Sequence, residues 1–343
     1  MLIRKHAFAR AGLVGNPSDG YFGKTISFIV KNFRAEVTLY ESPELEILPN
    51  ERDHSCFRSI AHLSEDVGLN GYYGGIRLLK ATVRRFHNFC QQRRIHLHDR
   101  NFTLRYDSNI PPRVGMAGSS AIITACLRAL MEFYSVGIPR AVQASLILSV
   151  ENEELGIPAG LQDRVIQAYE GLVFMDFDRK HLERYGYGRY EPLDPECLPP
   201  LYIAYSTNLS EGTEVFHNDI RGRFERGEAE VVEAMQCWAA LAQETRAMLL
   251  AGRGCEIAPL LDRNFDLRCR IYRISEANQH VVRTARKLGA SCKFTGSGGA
   301  FVGTFEDDAM FRKLRLEMEP LGLQVIKPAI VEDPLLQDQP KLV

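Results

Sequence analysis

The segment PPRVGMAGSSA at residues 111–121 carries the clearest signal in the chain, because its small residues lead directly into an apolar helix predicted over 118–134. A turn rich in glycine and serine lets backbone N–H groups approach an anion, and a helix N-terminus carries about half a positive charge. Ser119 and Ser120 stand where a hydroxyl caps the helix, binds a phosphate oxygen or binds Mg²⁺. The segment therefore indicates either a phosphate-binding loop or an ordinary cap on a buried helix.

Two further segments contain residues suited to phosphate and metal chemistry. KFTGSGGA at 293–300 lies between a predicted helix and a predicted strand, and its glycines suit either a phosphate cradle or a tight turn. In ENEELGIPAGLQD at 151–163, Glu151 and Asp163 frame a Gly-Pro turn. Two carboxylates placed in this way can serve as a metal ligand and a base, or they can simply end an acidic helix in solvent.

A fourth segment, RAGLVGNPSD at residues 10–19, follows the first predicted strand. The strand delivers Arg10, and a polar turn presents Asn16, Ser18 and Asp19, whose side chains suit the binding of hydroxyl groups. The alternative is a plain hairpin turn. By contrast, GKT at 23–25 only resembles the end of a nucleotide-binding P-loop, because its first glycine would fall on Ser18 and a strand-like sequence follows it.

The rest of the chain alternates between strand and helix patterns. Strands are predicted over 3–11, 25–30, 34–40, 102–106, 171–177, 201–205, 300–304 and 322–327, and helices over 74–94, 118–134, 139–155, 213–225, 228–252, 276–288 and 307–318. The stretch YGYGRYEPLDPECLPP at 185–200 is typical of a linker. We therefore expect an α+β protein with two domains, at residues 1–195 and 196–343.

Composition restricts the class of protein. The 343 residues are 45% hydrophobic and 25% charged, with a net charge of −1, which is typical of a globular protein and gives no basic excess for nucleic acid or anionic lipid. The N-terminal MLIRKHAFAR has no apolar run, and no stretch reaches the length of a membrane span. Eight scattered cysteines without a Cys-x-x-Cys pair favour reduced thiols and a cytoplasmic protein.

The four segments together resemble the GHMP kinases, the family of galactokinase, homoserine kinase, mevalonate kinase and phosphomevalonate kinase. Arg10, Leu13, Gly15 and Asp19 are in step with the family's first motif, and Pro112 with GSSA at 118–121 matches its second. Lys293, Thr295–Gly296 and Gly298–Gly299 match its third motif, and Glu151, Gly156, Pro158, Gly160 and Asp163 match the acidic pattern of galactokinases. More narrowly, residues 9–28 and 159–177 resemble the glucuronokinase branch of the family.

The resemblance implies a two-domain fold, with an N-terminal domain like ribosomal protein S5 domain 2, a ferredoxin-like C-terminal domain and a cleft between them. It also implies transfer of the γ-phosphoryl group of ATP, with Mg²⁺, to the anomeric hydroxyl of D-glucuronate. Asp163 and Arg10 would be catalytic, and Ser120 and Glu151 would hold the metal. ATP would be bound by Pro112, Val114, Gly115, Ala117, Gly118, Ser119, Ser120 and Ala121, and the sugar by Asn16, Ser18, Asp19, Lys24, Thr295, Gly296, Ser297 and Gly298.

Two departures from the family pattern affect the substrate and the loop. Asn16-Pro17 replaces the Glu-His of galactokinases, which disfavours galactose, and Gly115-Met116 lies one residue further from the serine pair than usual. A uronate needs a cation for its carboxylate, and the candidates beside the motifs are Lys24 and Arg113. The alternatives are another anomeric kinase, for heptose, fucose, arabinose or galactose, and a catalytically silent sensor of sugar or nucleotide. We expect a monomer or homodimer whose partners are small molecules.

Overall fold

The computed structural model describes residues 1–49, 75–206 and 220–331, and it contains two β-sheets with helices packed on them. The first sheet has six strands, from β1 to β6, and the second has four, from β7 to β10. The strands are β1 (Leu2–Val14), β2 (Lys24–Ser42), β3 (Glu46–Ile47), β4 (Asn101–Ser108), β5 (Leu172–Asp176), β6 (Arg189–Leu193), β7 (Leu201–Ser206), β8 (Lys293–Phe294), β9 (Ala300–Thr304) and β10 (Leu323–Ile326).

The helices alternate with these strands along the chain. They are α1 (Gly75–Gln92), α2 (Gly118–Phe133), α3 (Arg140–Ser149), α4 (Gln162–Tyr169), α5 (Arg179–Tyr185), α6 (Ile220–Glu225), α7 (Ala229–Leu250), α8 (Ala258–Ile271), α9 (Glu276–Lys287) and α10 (Asp308–Met318). A single π-helical turn, Val150–Glu154, extends α3. Short 3₁₀ turns occupy Ser18–Tyr21, Pro195–Cys197, Gly254–Glu256 and Glu319–Leu321.

The long strand β2 organises the first sheet. It pairs antiparallel with β1 along one edge, and with β4 and β5 along the other. Most of β1 is buried, and α2 packs against both β1 and β2. Most residues of α2 are buried, and most of the buried ones are apolar, so packing against the sheet stabilises this helix. Its N-terminus is thereby fixed beside the middle of β1.

The second sheet is antiparallel throughout, in the order β10-β7-β9-β8. Helix α7 lies across β2 of the first sheet and also packs against α8, which contacts β1, β8 and β9. The chain's one tryptophan, Trp238 on α7, is fully buried, and its indole N–H donates to the backbone carbonyl of Asn264 on α8 at 3.1 Å. These two helices therefore connect the second sheet to the first.

One hydrophobic core runs through both sheets. A single cluster of buried apolar residues includes Ile3 and Phe28 in the first sheet, Trp238 on α7, and Phe301 and Val325 in the second sheet. The predicted domain boundary at 195/196 falls between β6 and β7, which belong to different sheets. The division into domains stays a prediction, and the packing across it is continuous.

The α+β class predicted from the sequence is confirmed, but several element boundaries differ. The two strands predicted over 25–30 and 34–40 are one strand, β2, with an irregularity opposite Phe8 and Ala9. The predicted linker at 185–200 contains β6, which adds an edge strand to the first sheet beside β5. The tyrosines that resembled linker composition pack there, with Tyr190 against Tyr169 and Phe177.

Other differences concern helices. The helix predicted over 139–155 ends at Ser149 and continues as the π-helical turn. Helix α8 was not predicted from the sequence, because its polar and apolar residues are interleaved with arginines. The helix predicted over 213–225 lies partly outside the described residues, and only Ile220–Glu225 is seen as α6. Across the described ranges, no helix combines the length and the apolarity that a membrane crossing requires.

Candidate active site

Arg10, on β1, connects its own sequence motif to the other three. Its Nε donates to Oδ1 of Asp163 at 2.6 Å, and its Nη1 donates to the carbonyl oxygens of Gly115 at 2.6 Å and Thr295 at 3.1 Å. The side chain is 5% exposed, so these are buried charge-assisted hydrogen bonds. The structure therefore brings the predicted catalytic pair together, between the two glycine-rich loops.

A second arginine, Arg164 on α4, links the two predicted carboxylates. Its Nε donates to Oε2 of Glu151 at 2.7 Å, and its Nη1 lies 3.2 Å from Oδ2 of Asp163. Glu151 is held inside by the π-helical turn and is 3% exposed. Arg164 was not predicted from the sequence, because its importance comes from the two carboxylates that it contacts once the chain is folded.

These two guanidinium groups set the charge of Asp163. Burial raises the pKa of its carboxyl group, but the positive charges of Arg10 and Arg164, with the Arg10 hydrogen bond, outweigh burial and hold the pKa below its ordinary value. Burial also lowers the pKa of Arg164, and the carboxylates of Glu151 and Asp163 more than reverse that effect. Asp163 is therefore ionised at neutral pH, which suits orienting a hydroxyl group and accepting its proton late in the reaction.

Asp19 lies beside this pair. Its Oδ2 accepts from the backbone N–H of Gln162 at 3.4 Å, and a Cβ at Gly160 would be 2.3 Å from the same oxygen. Burial raises the pKa of Asp19 to about 6, and the negative charge of Asp163 adds to the rise. The lack of a side chain at Gly160 thus makes room for a second carboxyl group, partly buried like that of Asp163.

The two glycine-rich loops lie against each other. A Cβ at Gly115 would be 2.7 Å from the carbonyl oxygen of Gly298 and 3.2 Å from Oγ of Ser297, and a Cβ at Gly296 would be 2.6 Å from the carbonyl oxygen of Gly115. Gly115 also has a positive φ of 69°. The segments predicted to bind ATP and sugar therefore form one surface, and glycine is required at their contact.

The loop over 111–117 leads into α2 as predicted. Ala117 adopts a left-handed conformation immediately before the helix, and the first turn of a helix leaves N–H groups without intrahelical acceptors. Gly118, Ser119, Ser120 and Ala121 form that turn, while Pro112 is exposed and Val114 is buried in the core. The N-terminus of α2, whose N–H groups donate hydrogen bonds, therefore lies at the junction of the loops, which fits a triphosphate.

The predicted metal ligands have other partners in this structure. The Ser120 hydroxyl donates to Oε1 of Gln167 at 2.7 Å, and Glu151 is bound by Arg164. The described ranges contain no group of three or more His, Cys, Asp or Glu side chains placed to share an ion. A serine hydroxyl and one carboxylate still fit Mg²⁺, because this ion usually takes one or two carboxylates together with phosphates and waters. Binding would require Arg164 to release Glu151.

The residues predicted to bind sugar differ in their surroundings. Asn16 is buried, and its Oδ1 accepts from Nζ of Lys293 at 2.6 Å. Ser18 is fully buried and closes its turn by bonding both the N–H and the carbonyl oxygen of Lys24. The Lys24 ammonium lies 3.0 Å from Oδ2 of Asp176, at the end of β5. Arg113 is exposed.

Three buried polar residues near the loops were given no role in the sequence analysis. Lys293 is 1% exposed and donates to the carbonyl oxygen of Gly12 at 2.7 Å; burial, then the charges of Arg268 and Arg10, lower its pKa well below the ordinary value. On α8, Asn264 binds the N–H of Gly15 at 2.7 Å, and Arg268 donates to the carbonyl oxygen of Gly296 at 2.9 Å. Asn264 and Arg268 were not identified because they lie on α8, a helix that was not predicted from the sequence.

Comparison with known proteins identifies the class of protein that this fold and site define. Residues 77–171 match the GHMP kinases N terminal domain. The chain is 44% identical to a protein of Arabidopsis thaliana named Glucuronokinase 1 over an alignment of 306 residues. This alignment covers 88% of this chain and 84% of that protein. The chain belongs to the GHMP kinase family.

A second relative and a solved structure agree with this assignment. The Arabidopsis protein named Probable glucuronokinase 2 is 46% identical over 308 residues, covering 88% of this chain and 84% of that protein. The crystal structure of Lactococcus lactis galactokinase complexed with galactose superposes with a TM-score of 0.73 at 13% identity, covering 96% of this chain and 93% of that one. The two-domain GHMP kinase fold expected from the sequence is therefore confirmed, and ATP is the nucleotide expected of this family.

Proposed function

We propose that the protein is an ATP-dependent sugar kinase that phosphorylates the anomeric hydroxyl of D-glucuronate. The observation that carries this proposal is the similarity to the two proteins named as glucuronokinases, over 88% of the chain, combined with the Arg10–Asp163 pair between the two loops. The same pair argues against a silent sensor, because a protein that only binds has no need of a buried ion pair at this point.

The proposed reaction forms one bond and breaks one. The C1 oxygen of the sugar attacks the γ-phosphorus of ATP, the bond from that phosphorus to the β–γ bridging oxygen breaks, and the C1 hydroxyl proton passes to Asp163. The products are the sugar 1-phosphate and ADP. Such a transfer depends mainly on positioning and on neutralising charge, and Arg10 lies where it can stabilise charge on the transferred group while it keeps Asp163 ionised.

The loop at 111–121 and the N-terminus of α2 hold the phosphates in this proposal, and Thr295, Gly296, Ser297 and Gly298 cover them and position the sugar. Asn16 and Asp19 hydrogen-bond to the sugar, whereas Ser18 shapes the turn that presents them. Lys24 stays in the proposal as a residue at the rim, with Asp176 as its present partner. Pro112 and Val114 fix the course of the loop, and Gly115, Ala117, Gly118, Ser119, Ser120 and Ala121 surround the anion.

Mg²⁺ is the proposed metal, held by Ser120 and Glu151 together with ATP, and it would neutralise negative charge on the phosphates. Glu151→Gln should raise the Mg²⁺ concentration needed for half-maximal rate by about tenfold or more, because one anionic ligand is lost. Glu153→Gln, on the same turn but solvent-exposed, is the matched control. An unchanged Mg²⁺ requirement in a folded Glu151→Gln protein would remove Glu151 from the metal site.

The test of the reaction is ADP release across a panel of sugars. We expect kcat/KM to be highest for D-glucuronate among D-glucuronate, D-galacturonate, D-glucose, D-galactose and L-fucose. Methyl β-D-glucuronide, whose anomeric oxygen is blocked, should release no ADP, and this control identifies the reacting hydroxyl. A higher kcat/KM for a neutral hexose would overturn the uronate assignment, and turnover of the methyl glycoside would overturn the anomeric position.

We also propose that the kinase acts in the cytoplasm as a monomer or homodimer, with small molecules as its partners. The scattered cysteines support a reducing compartment, and the seven that lie in described residues are all free. Cell fractionation and light scattering after size exclusion test the two parts separately.

A further inference from the structure

Arg268, on α8, has a buried hydrogen-bond donor without an acceptor. The side chain is 4% exposed, its Nη1 donates to the carbonyl oxygen of Gly296, and its guanidinium lies 5.1 Å from the ring centre of Tyr272 and 5.3 Å from that of Phe294. Its Nε has no hydrogen-bond partner in the part of the chain that the structure describes. A buried donor without an acceptor costs free energy, so this nitrogen is available to a hydrogen-bond acceptor from a bound ligand.

Asn16 supplies a second orphan donor at the same junction. Lys293 carries only donors, so the amide of Asn16 must turn its oxygen toward Nζ of Lys293, and this leaves the buried Nδ2 as the donor of the amide. Nδ2 has no acceptor within the described ranges. Asn264 donates to the carbonyl oxygen of Asn16 at 3.1 Å, and it lies four residues before Arg268, on the same face of α8.

The charges around the junction also favour an anion. Arg10 and Arg164 are paired with Asp163 and Glu151, whereas Arg268 and Lys293 have no carboxylate within 4 Å among the described residues. Burial and then the positive charge of Arg268 lower the pKa of Lys293, so Arg268 disfavours the charged form of the Lys293 ammonium. An incoming carboxylate would relieve this repulsion, while a neutral group would leave it in place.

The position of Arg268 relative to the residues that would handle the C1 hydroxyl of the sugar suits a uronate. In a pyranose ring, C1 and the carbon that bears the carboxylate both flank the ring oxygen, so the carboxylate-binding cation must lie close to the group that handles the C1 hydroxyl. Arg268 contacts Gly296, whose Cα lies next to the guanidinium of Arg10, and Arg10 holds Asp163. Lys24 does not share these contacts, because its ammonium is paired with Asp176.

We infer that Arg268 binds the C6 carboxylate of the sugar, through its Nε, with the Nδ2 group of Asn16 as a second donor, and that this contact sets the preference for uronates. The inference rests on the proposed function and deepens it. It replaces Lys24 and Arg113, which the sequence analysis named as carboxylate partners, by a residue from the other half of the fold.

The test compares D-glucuronate with its neutral isostere D-glucuronamide, and with D-glucose, by calorimetric binding and by kcat/KM. Arg268→Met keeps the volume and removes the charge, so the preference for uronate over uronamide should fall by about 10²- to 10³-fold, which is typical when one partner of a buried charge pair is removed. Arg270→Met, an exposed arginine on the same helix, is the matched control and should keep the wild-type preference.

Asn16→Asp provides a second variant if Arg268→Met does not fold, because the new carboxylate can pair with Lys293 and would repel a uronate. It should lower the ratio of uronate to uronamide binding by about tenfold or more. A wild-type preference for uronate that survives in both folded variants would overturn the role of Arg268 and leave the proposed kinase standing. Absence of the preference in the wild type would overturn the uronate assignment itself.

Discussion

Asp163 receives a hydrogen bond from Arg10 and positive charge from both Arg10 and Arg164, and its ionisation is therefore the property to test first. Asp163→Asn keeps the shape of the side chain but removes the negative charge that orients the hydroxyl and accepts its proton. We expect kcat to fall by about 10²- to 10⁴-fold, with ATP affinity little changed, as measured by steady-state rates and nucleotide titration. Near-normal turnover by a folded Asp163→Asn protein would contradict the assigned role.

The stability of the folded protein should depend on the protonation state of Asp19, and folding favours the protonated form of its carboxyl group. Its pKa is raised from 3.8 to about 6 by burial and by Asp163, so the folded state holds this proton more tightly than the unfolded state does. The stability that the bound proton contributes is present below pH 3.8 and is lost as the pH rises through 6. The maximum loss is about 3 kcal/mol for a shift of this size.

Replacement of Asp19 by Asn should therefore raise the unfolding temperature at pH 8 and change it much less at pH 4.5, which calorimetry at the two pH values can measure. The same variant should abolish the fall in kcat/KM that we expect for the wild type below about pH 6. Equal stabilisation at both pH values would mean that the carboxyl group of Asp19 does not titrate as its burial implies.

Some residues of the site can be identified from sequence patterns alone, and others cannot. Arg10, Asp19, Glu151 and Asp163 could be chosen from the sequence, because each belongs to a short motif of glycine, proline and polar residues. Arg164 and Arg268 could not be chosen in the same way, since their importance comes from what they contact across the fold: Arg164 from two buried carboxylates, and Arg268 from a loop carbonyl 28 residues away. Their side chains have no local pattern that separates them from surface arginines.

At the scale of elements, the contact between the two glycine-rich loops is the feature that a small change should disturb most. A Cβ at Gly296 would lie 2.6 Å from the carbonyl oxygen of Gly115 and 2.9 Å from the guanidinium of Arg10. Gly296→Ala should displace the loops and lower kcat/KM by about 10²-fold. Gly137→Ala, where a Cβ would have nothing within 4 Å, is the matched control, and equal rates for the two variants would contradict this account.

Element boundaries were predictable where hydrophobic periodicity is strong and poorly predictable elsewhere. The apolar helix α2 begins at Gly118 as expected, because a turn of small residues leads into a sequence that is mainly apolar. Strand β6 lies within residues 185–200, whose many tyrosines, prolines and glycines are typical of a linker, and its strand conformation depends on pairing with β5. Helix α8 was missed for a related reason: its buried Asn264 and Arg268 are polar residues on the inner face.

At the scale of the whole molecule, the shared core predicts one cooperative unfolding transition, although the chain has two sheets. Asn264 is a sensitive point in it, because its side chain bonds the N–H of Gly15 and the carbonyl oxygen of Asn16 from the other half of the fold. Asn264→Ala leaves both buried groups unsatisfied, which costs about 2 to 4 kcal/mol, and should lower Tm by roughly 5 °C or more.

Calorimetry measures both expectations at once. Asn88→Ala, on α1 and away from this junction, is the control and should leave Tm nearly unchanged. Two resolved transitions in the wild type, with only one of them shifted in Asn264→Ala, would show that the halves unfold independently.

The bond from Trp238 to the backbone of Asn264 also gives the molecule an optical property. Because the chain contains one tryptophan, and because that indole donates to the helix that contacts both Asn16 and the loop at Gly296, its fluorescence originates from a single buried place next to the proposed sugar site. The emission should be blue-shifted and protected from iodide while the chain is folded. Sugar binding should then be measurable by the intrinsic fluorescence of Trp238, without a label and without turnover.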